Sequence, residues 1–207
     1  MFTVKRLSAK YAPALLKHLA RLDKQSLYDR FCVAANHEFI ERYVNQINFD
    51  HSGIYGVFDQ DLELIGVGEC VVYSNKEEAE VAFSIELVHQ SKGLGNRLMK
   101  KLIQFAKANN INKLNMYCLR TNSKSLHLAK KYGLNLTHEI DEVSTTIGLP
   151  VTPAIFFQGY ELAEEIIANI EIAQKTTSKL WKIQNSYNNF MQASFTRKPQ
   201  PGKETSP

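Results

Sequence analysis

Glu80-Val-Ala-Phe-Ser-Ile-Glu-Leu-Val88, followed by His89-Gln-Ser-Lys-Gly-Leu-Gly95, is the stretch that decides the fold of this 207-residue chain. Apolar and polar residues alternate through its first half. That period of two predicts a strand with Val81, Phe83, Ile85 and Leu87 on the core face and Glu80, Ala82, Ser84 and Glu86 on the other. The period then changes. Leu94, Leu98, Leu102 and Phe105 fall on one face of a helix, with Lys100, Lys101, Gln104 and Lys107 outside it. The chain therefore turns from extended to helical at Gly93 or Gly95.

A strand that feeds a helix through a glycine-bearing turn aims unpaired backbone N–H groups at one spot, and the helix dipole adds partial positive charge there. Such a spot binds phosphate. Glycines let the anion approach the backbone, and Lys92 and Arg97 add charge nearby. The spacing departs from Gly-x-Gly-x-x-Gly and from Gly-x-x-x-x-Gly-Lys-Ser/Thr, so the dinucleotide and P-loop readings both fail. What remains is Gln90-x-x-Gly93-x-Gly95.

Around this unit the chain reads as alternating elements. Phe2 to Leu7 predicts a strand, and Leu15, Leu16, Leu19 and Leu22 mark the buried stripe of a helix. Ser26 to Phe31 reads as an aromatic-anchored loop. Gly53 to Phe58 and Leu64 to Tyr73 are two strands joined by a tight polar turn, and Ser74 to Glu78 turns into the Glu80 strand, which makes an antiparallel meander. Lys113 to Leu119 follows a helical crossover and so should lie parallel to the Glu80 strand. Thr121 or Asn122 caps a further helix, with Leu126, Ala129 and Tyr132 inside and Gly133 at its end. Leu134 to Ile140 and Ser144 to Leu149 form a last hairpin.

The turn motif resembles the Gln/Arg-x-x-Gly-x-Gly/Ala signature of the GNAT acetyltransferase superfamily, and the order of elements over residues 1–150 resembles its fold. Asn122 and Gly133, eleven residues apart, resemble the superfamily's fourth motif. In pattern the chain is most similar to bacterial Pat-type protein lysine acetyltransferases, in which a segment like Ser26 to Phe31 and a run like Ala129-Lys-Lys131 also occur. The resemblance implies an α/β (α+β) fold, a mixed and mostly antiparallel sheet flanked by helices. It implies acetyl-CoA as cofactor, held by Leu87, Val88, Gln90, Ser91, Lys92, Gly93, Leu94, Gly95, Asn96, Asn122 and Lys124. Lys124 is a candidate to meet the adenosine 3′-phosphate, although the residues themselves favour a solvated helix lysine.

The reaction so implied is direct transfer of acetyl from a thioester to an amine. A lysine amine, with a reference pKa of about 10.4, is neutral in only about one molecule in 2,500 at pH 7, a penalty near 4.6 kcal/mol, so a base matters. Glu80 and Glu86 share a strand face but lie about 20 Å apart and cannot serve one centre. Glu86 is close to the phosphate turn. Glu80 lies toward the pantetheine end and matches the position of the catalytic glutamate in protein-acetylating members, which makes it the expected base. Where many members carry a Tyr that protonates the leaving thiolate, this chain has Ala129; Tyr117 and Tyr132 are the other candidate acids. The acceptor expected is a protein lysine, with a polyamine or amino-acid-like small amine as the alternative and a non-catalytic acyl-CoA-binding module as the reading from another class.

Composition sets further bounds. The apolar content of 44% supports one good core, and the net charge of +4, mixed along the chain, gives no nucleic-acid signature. Cys32, Cys70 and Cys118 form no C-x-x-C pair and read as reduced core residues of a cytoplasmic protein. The histidines have no ligand spacing, so no metal is expected. Residues 143–160 carry no charge but contain Thr145, Thr146, Gly148, Pro150, Pro153 and Gly159, which argues against a membrane span. The expected organisation is a catalytic domain at 1–150, a helical extension at 151–196 and a disordered tail at 197–207. The extension carries two apolar stripes separated by Thr176-Thr-Ser178, read as one bent helix or two. Docking on the domain is the expectation, with a homo-oligomer through these helices as the other candidate.

Overall fold

A computed structural model describes residues 2–133, 135–138, 142–150 and 155–196. Strands β1 (Thr3–Arg6), β2 (Ser52–Phe58), β3 (Leu64–Val72), β4 (Glu78–Ile85), β5 (Lys113–Leu119), β6 (Asn135–His138) and β7 (Glu142–Gly148) form one sheet in the order β1-β2-β3-β4-β5-β7-β6. Every neighbouring pair is antiparallel except β4 and β5, which are joined by the helical crossover α4 (Leu94–Ala108). The mixed, mostly antiparallel sheet anticipated from the sequence is the one observed. The tail assigned to residues 197–207, and Leu134 and 139–141 of the last hairpin, lie outside the described residues.

Helices α1 (Ala12–Ala20), α2 (Lys24–Phe31) and α3 (His37–Gln46) cover one face of the sheet, over Ile54, Phe58, Leu64 and Val67. The Ser26–Phe31 segment is helix α2 and not a loop. Asp23 caps it, its carboxylate accepting from the Ser26 backbone N–H at 3.0 Å, and Cys32 ends it in the left-handed region at φ 54°. Asn36 caps α3 in the same way through the Phe39 N–H. The opposite face carries α4 and α5 (Ser123–Lys131) over Tyr55, Val57, Val81, Leu114 and Met116.

Two expectations about the organising stretch change. Strand β4 ends at Ile85, and Leu87–His89 form a single 3-10 turn, so Leu87 does not continue the core face: it is 61% exposed and Val88 72%. The outer flank of α4 is also not left to solvent. The extension is one unbroken 42-residue helix, α6 (Ile155–Thr196), whose first half lies on β1 and α4. Its Glu164 pairs with Lys101, its Glu171 accepts from Thr3 at 2.8 Å and its Glu161 from Tyr55 at 2.6 Å. The polar break at Thr176-Thr-Ser178 does not end the helix, because Thr176 and Thr177 turn their hydroxyls back onto the carbonyls of Ile172 and Ala173 and so compete for no other backbone conformation.

Close approach of α4 to the sheet depends on Gly53, where an added Cβ would stand 2.4 Å from the ring of the buried Phe105. Gly53→Ala should therefore lower stability by about 1–3 kcal/mol in urea unfolding. Gly148→Ala, at a position with nothing within 4 Å, should leave the urea midpoint unchanged or slightly raised.

Candidate active site

The parallel pairing of β4 with β5 is short. It runs only from Glu78–Lys113 to Glu80–Asn115, after which β4 continues to Ile85 and β5 to Leu119 with no register between them. Each strand keeps its other neighbour: β3 pairs with β4 as far as Ile85, and β7 with all of β5. A wedge therefore opens at the carboxyl ends of the two parallel strands. Backbone groups that face it from Val81–Ile85 and Met116–Leu119 have no strand partner, which makes it a place where an extended ligand can pair.

At the open end of the wedge the two parallel strands give way to helices, and both helix N-termini gather there. Gly93, at φ 74°, is the residue before α4, and no side chain caps that helix. Its first-turn N–H groups are available to an anion. A Cβ added at Gly93 would enter open space, and one added at Gly95 would meet Leu128 and Ile85 only at ordinary contact distance, so internal packing does not demand glycine at Gly95. Both glycines leave a cradle that side chains would otherwise occupy. Gln90 fixes the turn: its side-chain amide donates to the Ile85 carbonyl at 2.9 Å and to the Ser26 hydroxyl at 3.3 Å, while its carbonyl oxygen accepts from Lys124 at the start of α5. Asn122 caps α5 by accepting from the Ser125 N–H at 3.0 Å. Ser91 turns the chain at φ 58°, Lys92 is exposed, and Asn96 accepts from the Tyr132 hydroxyl at 2.9 Å. Leu87 and Val88 stand exposed beside the turn. The residues singled out in the sequence as cofactor contacts thus gather at one end of the wedge, and they fit a pyrophosphate.

Glu80 sits at the closed end, in the last β4–β5 pair. The Tyr73 hydroxyl donates to its carboxylate at 3.3 Å, and Tyr117, two residues beyond Asn115, lies close enough to act on that hydroxyl. Burial, and then the Glu80 charge, push the Tyr73 pKa well above that of an ordinary phenol. Beneath α2 and α3 lies a second ionic group. Arg30 donates to Glu69 and to Tyr43, each at 2.6 Å, and Tyr43 in turn donates to Glu69. Burial works against the Arg30 charge, but Tyr43, Glu69 and Glu80 outweigh it and raise its pKa. Ala129, where the resemblance would have a Tyr, is fully buried in the α5 core face. Tyr132 is held at Asn96, at the phosphate end, so of the two tyrosines named from sequence only Tyr117 is near Glu80.

A third polar group ties α1 to β4. His18, fully buried, places Nε2 3.0 Å from the Ser84 hydroxyl and Nδ1 3.2 Å from Glu86, whose carboxylate also accepts from Arg21 at 2.7 Å. Glu86 is held in this structural pairing. Sequence reasoning missed His18, Arg30, Tyr43, Glu69 and Tyr73. The available signal was Glu69, a lone charge in the apolar run Leu64–Tyr73, since a buried charge requires a partner. Cys70 and Cys118 are poor nucleophiles: burial raises the Cys118 thiol to about 11 and the Cys70 thiol to about 12.

A family model described as the acetyltransferase (GNAT) family matches residues 15–134. Among solved structures the fold is similar to the GNAT domain of S. lividans PAT, with a TM-score of 0.61 and 19% identity over 70% of this chain and 89% of that one. It is also similar to the ribosomal-protein-S5-alanine acetyltransferase from Vibrio fischeri (TM-score 0.60, 16% identity, 71% and 92% covered). A third match is the spermidine N-acetyltransferase from Vibrio cholerae in complex with CoA and spermine (TM-score 0.57, 17% identity, 71% and 95% covered).

The buried His18 makes stability depend on pH. Burial depresses its pKa below 6.5, so the unfolded chain takes up a proton that the native state refuses. Stability is then full above about pH 6.5 and declines as the pH falls below it. Glu86 has the opposite charge but the same direction: Arg21 and His18 outweigh its burial and lower its pKa, so its contribution holds above 4.5 and is lost as the pH falls through its folded value. The urea midpoint should fall from about pH 6.5 downward, and His18→Gln should be less stable at pH 7.5 yet show a flatter slope between roughly pH 6.5 and 5.

Proposed function

The chain belongs to the GNAT acetyltransferase family and is an acetyl-CoA-dependent acetyltransferase, and from that premise we propose that it acetylates the side-chain amine of protein lysines by direct transfer, as Pat-type enzymes do. The observation that carries the choice of acceptor is the open floor around Glu80. Val71, its register partner on β3, is 42% exposed, and Tyr117 on β5 is 45% exposed. An open apolar surface beside a carboxylate admits a lysine presented on a polypeptide. The spermidine enzyme among the structural neighbours favours a polyamine as the second reading. Against it, the carboxylates near Glu80 on the same strand face are already paired, Glu78 with Lys113 and Glu69 with Arg30, and offer little to a second ammonium group.

In this reading the residues divide by position along the wedge. At its mouth, backbone N–H groups from Ser91 to Asn96 hold the pyrophosphate, Gln90 sets the turn, Leu87 and Val88 flank the cofactor, and Asn122 and Lys124 bring the α5 N-terminus to it. When bound, acetyl-CoA supplies a thioester whose carbonyl carbon is open to attack by an amine. At the closed end, Glu80 takes the proton that the lysine ammonium must lose, directly or through water. Tyr73 holds that carboxylate in place through its hydroxyl, while Tyr117 orients Tyr73. The thiol pKa of about 8.5 makes the departing thiolate tolerable without a dedicated acid, which fits Ala129 at the position where a Tyr is common. The catalytic unit is residues 1–150. A cytoplasmic setting belongs to the same proposal, supported by the unbridged thiols of Cys70 and Cys118. No helix among the described residues is long and apolar enough to cross a membrane.

The test is CoA-thiol release from acetyl-CoA with lysine-containing proteins, lysine peptides and polyamines as acceptors. Glu80→Gln should lower kcat on the order of 10²-fold or more with the acetyl-CoA KM little changed. Tyr73→Phe, which deletes one hydrogen bond to a carboxylate, should cost about 10-fold. Faster turnover of polyamines than of every protein acceptor would reverse the choice of substrate, and an active Glu80→Gln would remove Glu80 as base.

A further inference from the structure

Helix α6, about 63 Å long at 1.5 Å per residue, presents two different faces. One face is bound to the domain: Glu161, Glu164, Ala168 and Glu171 meet β1, β2 and α4, and Lys175 and Lys179 donate to the carbonyls of Asp59 and Asp61 at 2.9 and 3.0 Å. The other face points away from the domain along the whole helix. It carries Leu162, Ile166, Ile170, Leu180, Trp181 and Tyr187, each 52–66% exposed. Ala173, Thr177, Gln184 and Met191 fill the seam between them at spacings of three and four, so the stripe is continuous for about eight turns. It contains no charged residue, since every Glu and Lys of α6 falls toward the other side of the wheel.

We propose that this seam is the self-association surface of the protein, and that its occupant is the α6 of a second copy, antiparallel to the first and crossing near Ala173 and Thr177. The area fits. At roughly 100 Å² for each half-covered large side chain, the six expose about 600 Å², and the flanking Ile167, Ile183 and Phe190 bring this to about 900 Å². A typical monomer has a largest apolar patch of about 300–600 Å², whereas a standard interface buries about 800 Å² on each partner. Residues 197–207 contain no large apolar side chain with which to cover it.

Side-chain size selects the antiparallel arrangement. Small residues occupy the middle of the seam, where Ile170, Ala173, Gln174, Thr177, Ser178 and Trp181 line a shallow concavity, and small side chains there permit the closest approach of two axes. With the two-fold axis at that point, Leu180 of one copy meets Ile170 of the other, and Tyr187 meets Ala163. A parallel pair would instead set Trp181 on Trp181 and Tyr187 on Tyr187, with Gly159 and Ala163 facing their own copies across a void. A lipid surface is a weaker occupant, since a surface-lying helix needs Lys and Arg free along its polar side and here Lys175 and Lys179 are bound to the domain.

Sedimentation across a concentration series tests this on the full chain. Wild type should sediment as a dimer, and Trp181→Glu, at an exposed position, should keep wild-type helicity while its dimer dissociation constant rises on the order of 30-fold or more. Orientation is read in a Cys32→Ser background. Oxidising an exchanged mixture of Ala163→Cys and Tyr187→Cys chains should give a cross-linked pair, and Tyr187→Cys alone should give none. A monomer at every concentration, a dimer indifferent to Trp181→Glu, self-cross-linking of Tyr187→Cys, or a monomer that instead floats with anionic phospholipid vesicles would each overturn the proposal.

Discussion

The structure depends on two parallel strands that pair for three residues and then part. Ordinarily, neighbouring strands that diverge leave unpaired backbone, which is costly in an apolar interior. Here the divergence is sustained because β4 remains paired to β3 and β5 to β7, so each strand keeps one complete ladder. The helical crossover through α4 leaves the opening at the carboxyl ends, where chain direction puts helix N-termini. The same break therefore exposes strand edges to an extended ligand, aims two helix dipoles at its charged end and leaves Glu80 where the strands meet.

Around that opening the sheet face beneath α1–α3 is held by polar groups and not by apolar contact alone. Buried ion pairs contribute little net stability, because desolvation offsets their attraction, but losing one partner is expensive. Such groups fix position. Arg30 from α2 and Tyr43 from α3 converge on Glu69 of β3, and His18 and Arg21 from α1 converge on Glu86 just after β4. Helices α1–α3 are thereby registered to the strands that flank the wedge. Ser26 on α2 extends the linkage to Gln90, so α2 and the Gln90–Gly95 turn share a hydrogen bond.

Much of this was legible in the sequence because local patterns were strong. Alternation in β4, the four-residue apolar spacing of α4 and the Gly93-x-Gly95 turn are short-range signals, and Asn122 announced a helix start. Strand β4 was drawn too long because Leu87 continues the alternation; only the 3-10 turn, set by tertiary context, breaks it. Helix α2 was missed because Ser26–Phe31 has no buried stripe, although Asp23 three residues before Ser26 is a capping signal. Tyr73, Arg30 and Glu69 were out of reach for another reason. They come together across three elements, and nothing in their local sequence encodes that meeting except the lone charge of Glu69 among apolar neighbours.

Helix α4 links the site to the tail. Its N-terminus faces the wedge, one side packs on β2 through the space left by Gly53, and its outer flank receives α6 through Lys101–Glu164, Lys107 over the Phe157 ring and the Gln158 side chain on the Ala108 carbonyl. A helix that must present uncapped N–H groups to a ligand gives up the stabilisation of an N-cap, about 1 kcal/mol. Burial on two sides, with ionic clamps along the second, supplies a compensating hold at the far end of the same rod. The first half of α6 is therefore part of the catalytic domain's support, although it lies beyond the residues matched by the family model. Its second half, from Leu180 onward, is largely exposed along the described residues, and there Leu180, Trp181, Ile183 and Tyr187 stand open.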